Sequence, residues 1–172
     1  MIREKFKETQ RVFGEWSVGA YRWKAPEGYI EEFVEKLKEK KLLGTLCKGC
    51  GRVYFPPREI CSRCFEKITE RVFVSNYGKL LAFLVSPPLQ KGKVVIAGMD
   101  VVAMGVLKEG ETIILGIVQF EGTSSKIVLP VLNIKPEDLR VGMRVKAVFA
   151  EKPEGKLSDL IGVEPAEEIK YQ

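Results

Sequence analysis

The sequence predicts a mostly β protein that has helices at its N-terminus, a small cysteine-rich ribbon and a C-terminal five-stranded barrel. Three observations support this fold class. Apolar residues repeat at helical spacing before the cysteines, four cysteines form two Cys-x-x-Cys pairs, and short apolar runs separated by glycine, proline and asparagine follow them. We therefore expect a helical segment at 1–44, the ribbon at 45–68 and the barrel at 69–172.

Two helices are predicted before the ribbon. The first ends near Gly14, and its residues at helical spacing are Ile2, Phe6, Thr9 and Phe13. The second begins near Pro26, which suits the first turn of a helix, and continues to Gly44, a residue type that commonly ends one. Its stripe comprises Ile30, Phe33, Val34, Leu37 and Lys41. One side of this helix is therefore expected to pack on the rest of the protein.

Two metal-binding knuckles are predicted, at Cys47–Cys50 and Cys61–Cys64, with ten residues between the pairs. Each Cys-x-x-Cys turn directs two thiolates at one metal ion, and two such turns complete a tetrahedron of four sulfurs. The intervening segment holds a short strand, Val53–Phe55, followed by two prolines. This arrangement is typical of a rubredoxin-like ribbon. We expect one structural zinc ion bound by Cys47, Cys50, Cys61 and Cys64.

The spacing also bears on the role of the metal. An iron ion of the rubredoxin type uses the same four ligands, and spacing alone does not separate it from zinc, which is the prediction here. Four protein ligands leave no position for water or substrate, so the site is predicted to hold structure rather than to catalyse a reaction. Gly49 and Gly51 are expected to supply the positive φ that such turns need.

The absence of histidine from the chain argues against catalysis. It removes the commonest general acid or base and any Ser-His or Cys-His nucleophile pair. Asp100 lies among apolar residues, and it is predicted either to be solvated at a bend or to be buried with a raised pKa. With the cysteines assigned to metal, the sequence predicts a protein that is not an enzyme.

Seven strands are predicted after the ribbon. They are Glu70–Ser75, Lys79–Ser86, Val94–Leu107, Thr112–Phe120, Lys126–Leu132, Met143–Ala150 and Ser158–Val163. The strand at Val94–Leu107 is expected to bend or break at Gly98 or Gly105. Turn residues separate them, including Asn76-Tyr77-Gly78, and Pro136–Leu139 is predicted to form a single helical turn. Short strands with glycine-rich turns and one short helix fit a five-stranded OB-fold barrel.

Two of these strands, Leu80–Val85 and Ile113–Val118, are apolar on both faces. One face of an antiparallel barrel normally meets water, so this pattern predicts a cover over the outer face. Two covers are open: the N-terminal helices or another protein chain. An aromatic cluster before the second helix has the same two interpretations, helix packing or a partner anchor, and comprises Trp16, Tyr21, Trp23 and Tyr29.

The distribution of charge disfavours nucleic acid as a partner. The net charge of +5 lies in the first 64 residues, which hold 14 Lys and Arg against 9 Asp and Glu, whereas the remainder holds 14 of each. Barrels that bind nucleic acid carry basic and aromatic side chains on the binding face. The predicted strand Val94–Leu107 has neither.

The composition also predicts a location. No apolar stretch approaches the roughly 20 residues of a membrane helix. The first seven residues mix acids and bases and lack the apolar region of a signal peptide. We expect a cytoplasmic protein, and thiols stay reduced in that compartment, which favours metal binding over disulfides.

Two segments carry a resemblance to a known family. They are Cys47–Arg58 (CKGCGRVYFPPR), followed by Cys61 and Cys64, and Pro136–Phe149 (PEDLRVGMRVKAVF). Together they resemble the zinc-ribbon/OB-fold proteins associated with thiolases and acyl-CoA. The resemblance covers roughly residues 20–165. Residues 1–19 and 91–111 depart from the family pattern, and no catalytic residue is carried over from it.

The resemblance implies N-terminal helices, a rubredoxin-like ribbon and an OB barrel that work with thiolase-like enzymes. In archaea, family members join acetoacetyl-CoA thiolase to hydroxymethylglutaryl-CoA synthase on the mevalonate route. In some bacteria, relatives pair with thiolase-like aldolases of steroid side-chain breakdown. CoA or acyl-CoA bound near the barrel is also implied.

The predicted function is therefore a non-catalytic scaffold that binds thiolase-like enzymes and helps to hold or channel acyl-CoA. Channelling needs no chemistry from the scaffold, because it raises the effective concentration of an intermediate at the second active site. The alternative is an OB-fold protein that binds nucleic acid, and salt-sensitive binding to oligonucleotides would indicate it.

Overall fold

A computed structural model of the chain describes residues 29–96 and 99–167. The predicted first helix and the aromatic residues Trp16, Tyr21 and Trp23 lie outside the described residues. The described residues form two compact units, one comprising 29–88 and 111–167 and the other 89–96 and 99–110. No helix within these ranges combines the length and the apolar character needed to cross a membrane.

Helix α1 spans Tyr29–Lys38 and buries Phe33 and Leu37, which lie one turn apart on the predicted apolar stripe. Two glutamates in its first turn and two lysines in its last turn complement the helix dipole. The helix ends well before Gly44, because Lys40 adopts a positive φ of 58°. The prediction of a helix that continues to Gly44 is therefore wrong.

The residues after the helix form strand β1, Leu42–Leu46, instead. It lies between β2, Val53–Tyr54, and β3, Glu70–Val74, and pairs antiparallel with both. Gly44 sits in the middle of β1, where a Cβ would lie 2.7 Å from the Tyr54 carbonyl oxygen. This glycine allows the close approach of two strands; it does not end a helix.

Five strands build the barrel in the order β10-β9-β4-β7-β8. They are β4 Tyr77–Val85, β7 Ile114–Phe120, β8 Ile127–Pro130, β9 Arg144–Phe149 and β10 Leu160–Pro165. Val131 forms a parallel bridge with Val163 of β10, and the Leu132 N–H donates to the Val163 carbonyl. This contact links the two ends of the sheet and closes it in the manner of an OB fold. The predicted fold class is confirmed.

Two residue assignments at strand starts differ from the prediction. Tyr77 and Gly78 belong to β4 rather than to a turn. Ser158 lies in a 3-10 helix, Leu157–Asp159, which precedes β10. The predicted helical turn is present as a 3-10 helix at Pro136–Asp138.

The predicted strand Val94–Leu107, expected to bend or break at Gly98 or Gly105, belongs to the second unit and contains two short paired strands. These are β5 Val95–Ile96 and β6 Met99–Asp100. Turns follow from Val101 to Gly105. Backbone hydrogen bonds within these turns, such as that from the Met104 N–H to the Asp100 carbonyl, replace strand pairing.

The larger of two hydrophobic clusters in the first unit joins the barrel, the ribbon sheet and the helix. The barrel contributes Leu80, Val118, Val145 and Val163, which are fully buried. Side chains from α1 and from the β1–β3 sheet join the same cluster and comprise Phe33, Leu37, Leu42, Leu43, Phe55 and Val74. The ribbon sheet and the barrel therefore share packing.

Candidate metal centre and outer sheet face

The two knuckles have the same backbone hydrogen-bond pattern. The Cys47 N–H donates to the carbonyl of Arg52, and the Cys61 N–H donates to the carbonyl of Glu66, each 2.9 Å away. The carbonyl of each of these cysteines also accepts the N–H of the residue four positions later. These bonds force each Cys-x-x-Cys segment into a tight turn, so that both of its sulfurs point inward.

The four cysteine sulfurs lie within 4.8 Å of one another. Cys47 Sγ and Cys64 Sγ are 3.4 Å apart, and Cys50 Sγ and Cys61 Sγ are 3.5 Å apart. Sulfurs bound to one tetrahedral zinc ion at about 2.3 Å lie about 3.8 Å from each other. A disulfide bond requires about 2.0 Å. The four cysteines are therefore positioned to bind one metal ion, as the sequence predicted.

The fourth residue after the first cysteine of each knuckle has a positive φ. It is Gly51 in the first knuckle, with φ of 70°, and Phe65 in the second, with φ of 60°. Gly51 takes the predicted conformation. Gly49 does not have a positive φ, so that part of the prediction is wrong; a Cβ at this position would instead meet the carboxylate of Glu66.

The environment of the thiols favours ionisation at Cys61. Burial raises the pKa of this thiol, but hydrogen bonds from the Tyr54 hydroxyl and from the backbone N–H groups of Cys64 and Arg63 lower it to about 5. For Cys64, the backbone N–H of Glu66 lowers the pKa, but the sulfur of Cys47 and burial raise it to about 12. Zinc binds cysteine as the thiolate, so the hydrogen bonds to Cys61 favour the form of this side chain that zinc binds.

Tyr54 contacts the metal centre, although the sequence pattern predicted it only as part of a short strand. Its ring is buried, and its hydroxyl lies 3.2 Å from Cys61 Sγ and 3.1 Å from Ser62 Oγ. A tyrosine seven residues before a cysteine carries no recognisable spacing signal. Only the folding of the second knuckle over β2 brings these groups together.

Asp100 is not a buried group with a raised pKa. Its carboxylate accepts the backbone N–H groups of Gly92, Val102 and Ala103 at 2.5 to 3.0 Å. The N–H of Ala103 contributes most to holding the pKa of this carboxyl below its usual value. The residue organises the backbone of the second unit, and of the two interpretations of Asp100 the buried one with a raised pKa is wrong.

Alternate apolar side chains of β7 point out of the barrel. Ile114, Val118 and Phe120 are buried, whereas Leu115 and Ile117 are exposed by 38% and 39%. Leu84 of β4 pairs with Leu115, and Val128 of β8 pairs with Ile117. Leu84 and Val128 are exposed by 65% and 60%. We call Leu84, Leu115, Ile117 and Val128 the outer apolar face.

Helix α1 does not cover this face. It packs against β1 and against the 3-10 helix Leu157–Asp159. Within the described residues, the four side chains therefore present a contiguous apolar surface across three neighbouring strands. Surfaces of this kind on a folded protein commonly mark an interaction site.

Comparison with known proteins assigns the ribbon and the fold. Residues 34–70 match the family described as ChsH2, rubredoxin-like zinc ribbon domain. A DUF35 domain-containing scaffold protein from Methanocaldococcus jannaschii is 34% identical over 109 residues, which cover 63% of this chain and 67% of the relative. The chain belongs to the DUF35 family.

Two solved structures share the fold of this DUF35 protein. One is a DUF35 family protein of unknown function from Sulfolobus solfataricus, with a TM-score of 0.57 and 17% identity over 81% of this chain and 87% of that one. The other is described as Ltp2-ChsH2(DUF35) aldolase, with a TM-score of 0.54 and 15% identity over 83% of this chain and 98% of that one. The zinc-ribbon assignment makes zinc the metal for the four-cysteine site.

Proposed function

We propose that this DUF35 protein is a non-catalytic accessory subunit of thiolase-like acyl-CoA enzymes, and that Cys47, Cys50, Cys61 and Cys64 bind its single structural zinc ion. The proximity of all four sulfurs is the observation that supports the ligand set. With four protein ligands, the ion has no open position at which to activate water or a substrate. The zinc therefore contributes folding energy to the ribbon instead of chemistry.

The ligand set is tested by metal analysis of the purified protein. We expect one zinc ion per chain in the wild type and loss of that zinc when Cys61 or Cys64 is replaced by serine. An ion bound in full after either replacement would contradict the proposal. If protein purified from its native cells contains iron instead of zinc, the proposed metal is wrong but the proposed ligand set still stands.

The accessory role is supported by the outer apolar face and by the relatives. One relative bears the name of a scaffold protein, and one solved structure joins a DUF35 chain with Ltp2 in an aldolase. The exposed side chains of Leu84, Leu115, Ile117 and Val128 offer the kind of surface that a permanent partner covers. We propose that this partner is a thiolase-like enzyme, with hydroxymethylglutaryl-CoA synthase as a second one, and that CoA or acyl-CoA is held where the enzymes meet the barrel.

Binding of purified enzymes tests the partner. Acetoacetyl-CoA thiolase and hydroxymethylglutaryl-CoA synthase of the source organism are titrated with wild-type protein and with Leu115→Asp. A charge in the centre of a buried apolar interface is expected to weaken binding by at least about tenfold. Leu157→Asp is the matched control, because Leu157 is also exposed, by 61%, but lies outside the outer apolar face.

Four outcomes would contradict the proposal. If both aspartate variants weaken binding equally, the outer apolar face is not the binding surface. If the wild type binds neither enzyme, these two enzymes are not its partners. Acyl-CoA turnover by the isolated chain, or oligonucleotide binding that weakens steeply with salt, would support a different function.

A further inference from the structure

The metal centre has a hydrogen-bonding side chain behind one of its ligands. The Tyr54 hydroxyl lies 3.2 Å from Cys61 Sγ, and Ser62 Oγ lies 3.1 Å from the same hydroxyl. The tyrosine is 3% exposed, so its hydroxyl depends on these protein groups for hydrogen bonds. The three groups form a chain from a surface serine to a buried sulfur.

A count of protons fixes the direction of this chain when the metal is bound. A metal-bound cysteine is a thiolate, which has no proton and can only accept. The tyrosine hydroxyl has one proton, so it must donate that proton toward Cys61 Sγ. Its oxygen is then free to accept, and Ser62 must donate to it. Ser62 is exposed, so its own oxygen can accept from water.

We propose that Tyr54 is a positioning residue of the zinc centre, whose hydroxyl donates to the Cys61 thiolate and retains the ion. This inference rests on the proposed zinc ligation by the four cysteines. Hydrogen bonds to a charged acceptor are stronger than those between neutral groups. They also fix the orientation of a ligand and spread its charge, and loss of such outer partners commonly weakens metal binding by about 10- to 100-fold.

The tyrosine ring is held in place from the strand side. Tyr54 pairs with Thr45 of β1, and the guanidinium of Arg58 lies 5.5 Å from the centre of the tyrosine ring. Thr45 Oγ1 accepts the N–H of Arg58 at 2.9 Å and donates to its carbonyl at 3.1 Å. The buried threonine therefore fixes the backbone that carries the arginine, and the guanidinium of that arginine packs on the tyrosine ring.

The test compares Tyr54→Phe with Ser62→Ala and a matched control. Tyr54→Phe removes one hydroxyl and keeps the buried ring. Tyr77→Phe makes the same chemical change on β4, where the ring contacts Arg144 and belongs to the barrel. Zinc content is measured first, then the rate of zinc transfer to an excess of a coloured chelator. The absorption of the cobalt-substituted protein is recorded for each variant.

We expect one zinc ion per chain in every variant. Tyr54→Phe should release it about 10- to 100-fold faster than the wild type, Ser62→Ala by a smaller factor, and Tyr77→Phe at the wild-type rate. The sulfur-to-cobalt charge-transfer band should move to lower energy in Tyr54→Phe, because the sulfur regains electron density that the hydrogen bond withdrew. Release and absorption unchanged in Tyr54→Phe would overturn the proposal.

The absorption band separates this role from simple packing. Faster release with an unmoved band would mean that Tyr54→Phe only loosens the ribbon, and the proposal would fail. A wild-type protein that takes up no zinc would refute the ligation by four cysteines, which is a different failure. If the wild type and Tyr54→Phe both bind one zinc ion per chain, a difference in their release rates or absorption bands tests the role of the Tyr54 hydroxyl alone.

Discussion

The ring of Phe55 stands edge-on to the ring of Phe120, with 5.2 Å between their centroids. Phe55 follows Tyr54 directly in the sequence. Its ring also packs against the ring of Phe33 from helix α1, with 5.9 Å between the two centroids. Consecutive residues thus contact the metal centre and the barrel core. Ser125 reinforces this junction, because its hydroxyl accepts the Phe55 N–H and donates to the Phe55 carbonyl, both at 2.7 Å.

Phe55→Ala should therefore destabilise the whole first unit. Truncation of a fully buried aromatic ring costs about 3–5 kcal/mol, from lost burial and the cavity that remains. Phe73→Ala is the control, because Phe73 is 63% exposed and its loss should cost about 0.5 kcal/mol or less. Urea unfolding measures both. Equal losses would show that Phe55 does not join the ribbon to the core.

Removal of the metal should affect the barrel as well as the knuckles. Without zinc the knuckles lose the ion that joins their four sulfurs, and the shared core is expected to transmit that loss through Phe55. Methyl resonances of Val118 and Val145 report on the barrel interior, since both residues are fully buried. We expect these resonances to shift or broaden on chelation and to recover on return of zinc. Unchanged barrel resonances in the metal-free protein would contradict this coupling.

Phe65 and Gly51 occupy equivalent positions in the two knuckles, yet only one of them is glycine. A left-handed conformation costs a residue with a side chain about 1–2 kcal/mol, and glycine avoids that cost. Phe65 is 78% exposed, so replacing it removes few packing contacts. Phe65→Gly should leave the free energy of unfolding unchanged or raise it by up to about 1 kcal/mol, after allowance for the flexibility of glycine in the unfolded chain.

The reverse substitution is the matched control. Gly51→Ala should lower the free energy of unfolding by about 1–2 kcal/mol, because it introduces the strain that Phe65 already bears. Thermal and urea unfolding of the zinc-loaded proteins compare the two. A clear loss of stability in Phe65→Gly would mean that the Phe65 side chain makes a stabilising contact.

Stability should depend on the ionisation of Asp159. Burial disfavours the charged carboxylate, but the N–H groups of Lys156, Glu154 and Gly155 hold the pKa of Asp159 below its usual value. They donate to it at 2.7 to 3.1 Å. A lowered folded-state pKa means that the carboxylate stabilises the fold above its unfolded-state pKa of about 4, and that this contribution is lost as the pH falls further.

Asp159→Asn should therefore be less stable than the wild type at pH 7, and the difference should shrink as the pH falls below about 4. Urea unfolding at a series of pH values measures it. The 3-10 helix that carries Asp159 packs on α1, so loss of the carboxylate also loosens the helix contact. If the difference in unfolding free energy between the two proteins stays constant from pH 7 to pH 3, the effect comes from the shape of the side chain and not from its charge.

The sequence alone determined the features that depend on short spacing. Two Cys-x-x-Cys pairs define two turns, and turns are local, so the metal centre could be predicted from the positions of Cys47, Cys50, Cys61 and Cys64. Short apolar runs separated by turn residues likewise predicted most of the barrel. The pattern of β7, apolar at every position but two, predicted an outer apolar surface and left its cover open.

Tertiary structure decided what depends on contacts between distant residues. Leu42–Leu46 is a strand because two other strands pair with it, and no local pattern records that pairing. The closure of the sheet at Val131 and Val163, and the approach of Tyr54 to Cys61, are of the same kind. Local propensities are worth fractions of a kcal/mol per residue, whereas hydrogen bonds and burial summed over a sheet exceed them. The chain therefore adopts the pairing that buries its core, even where the local signal favours a helix.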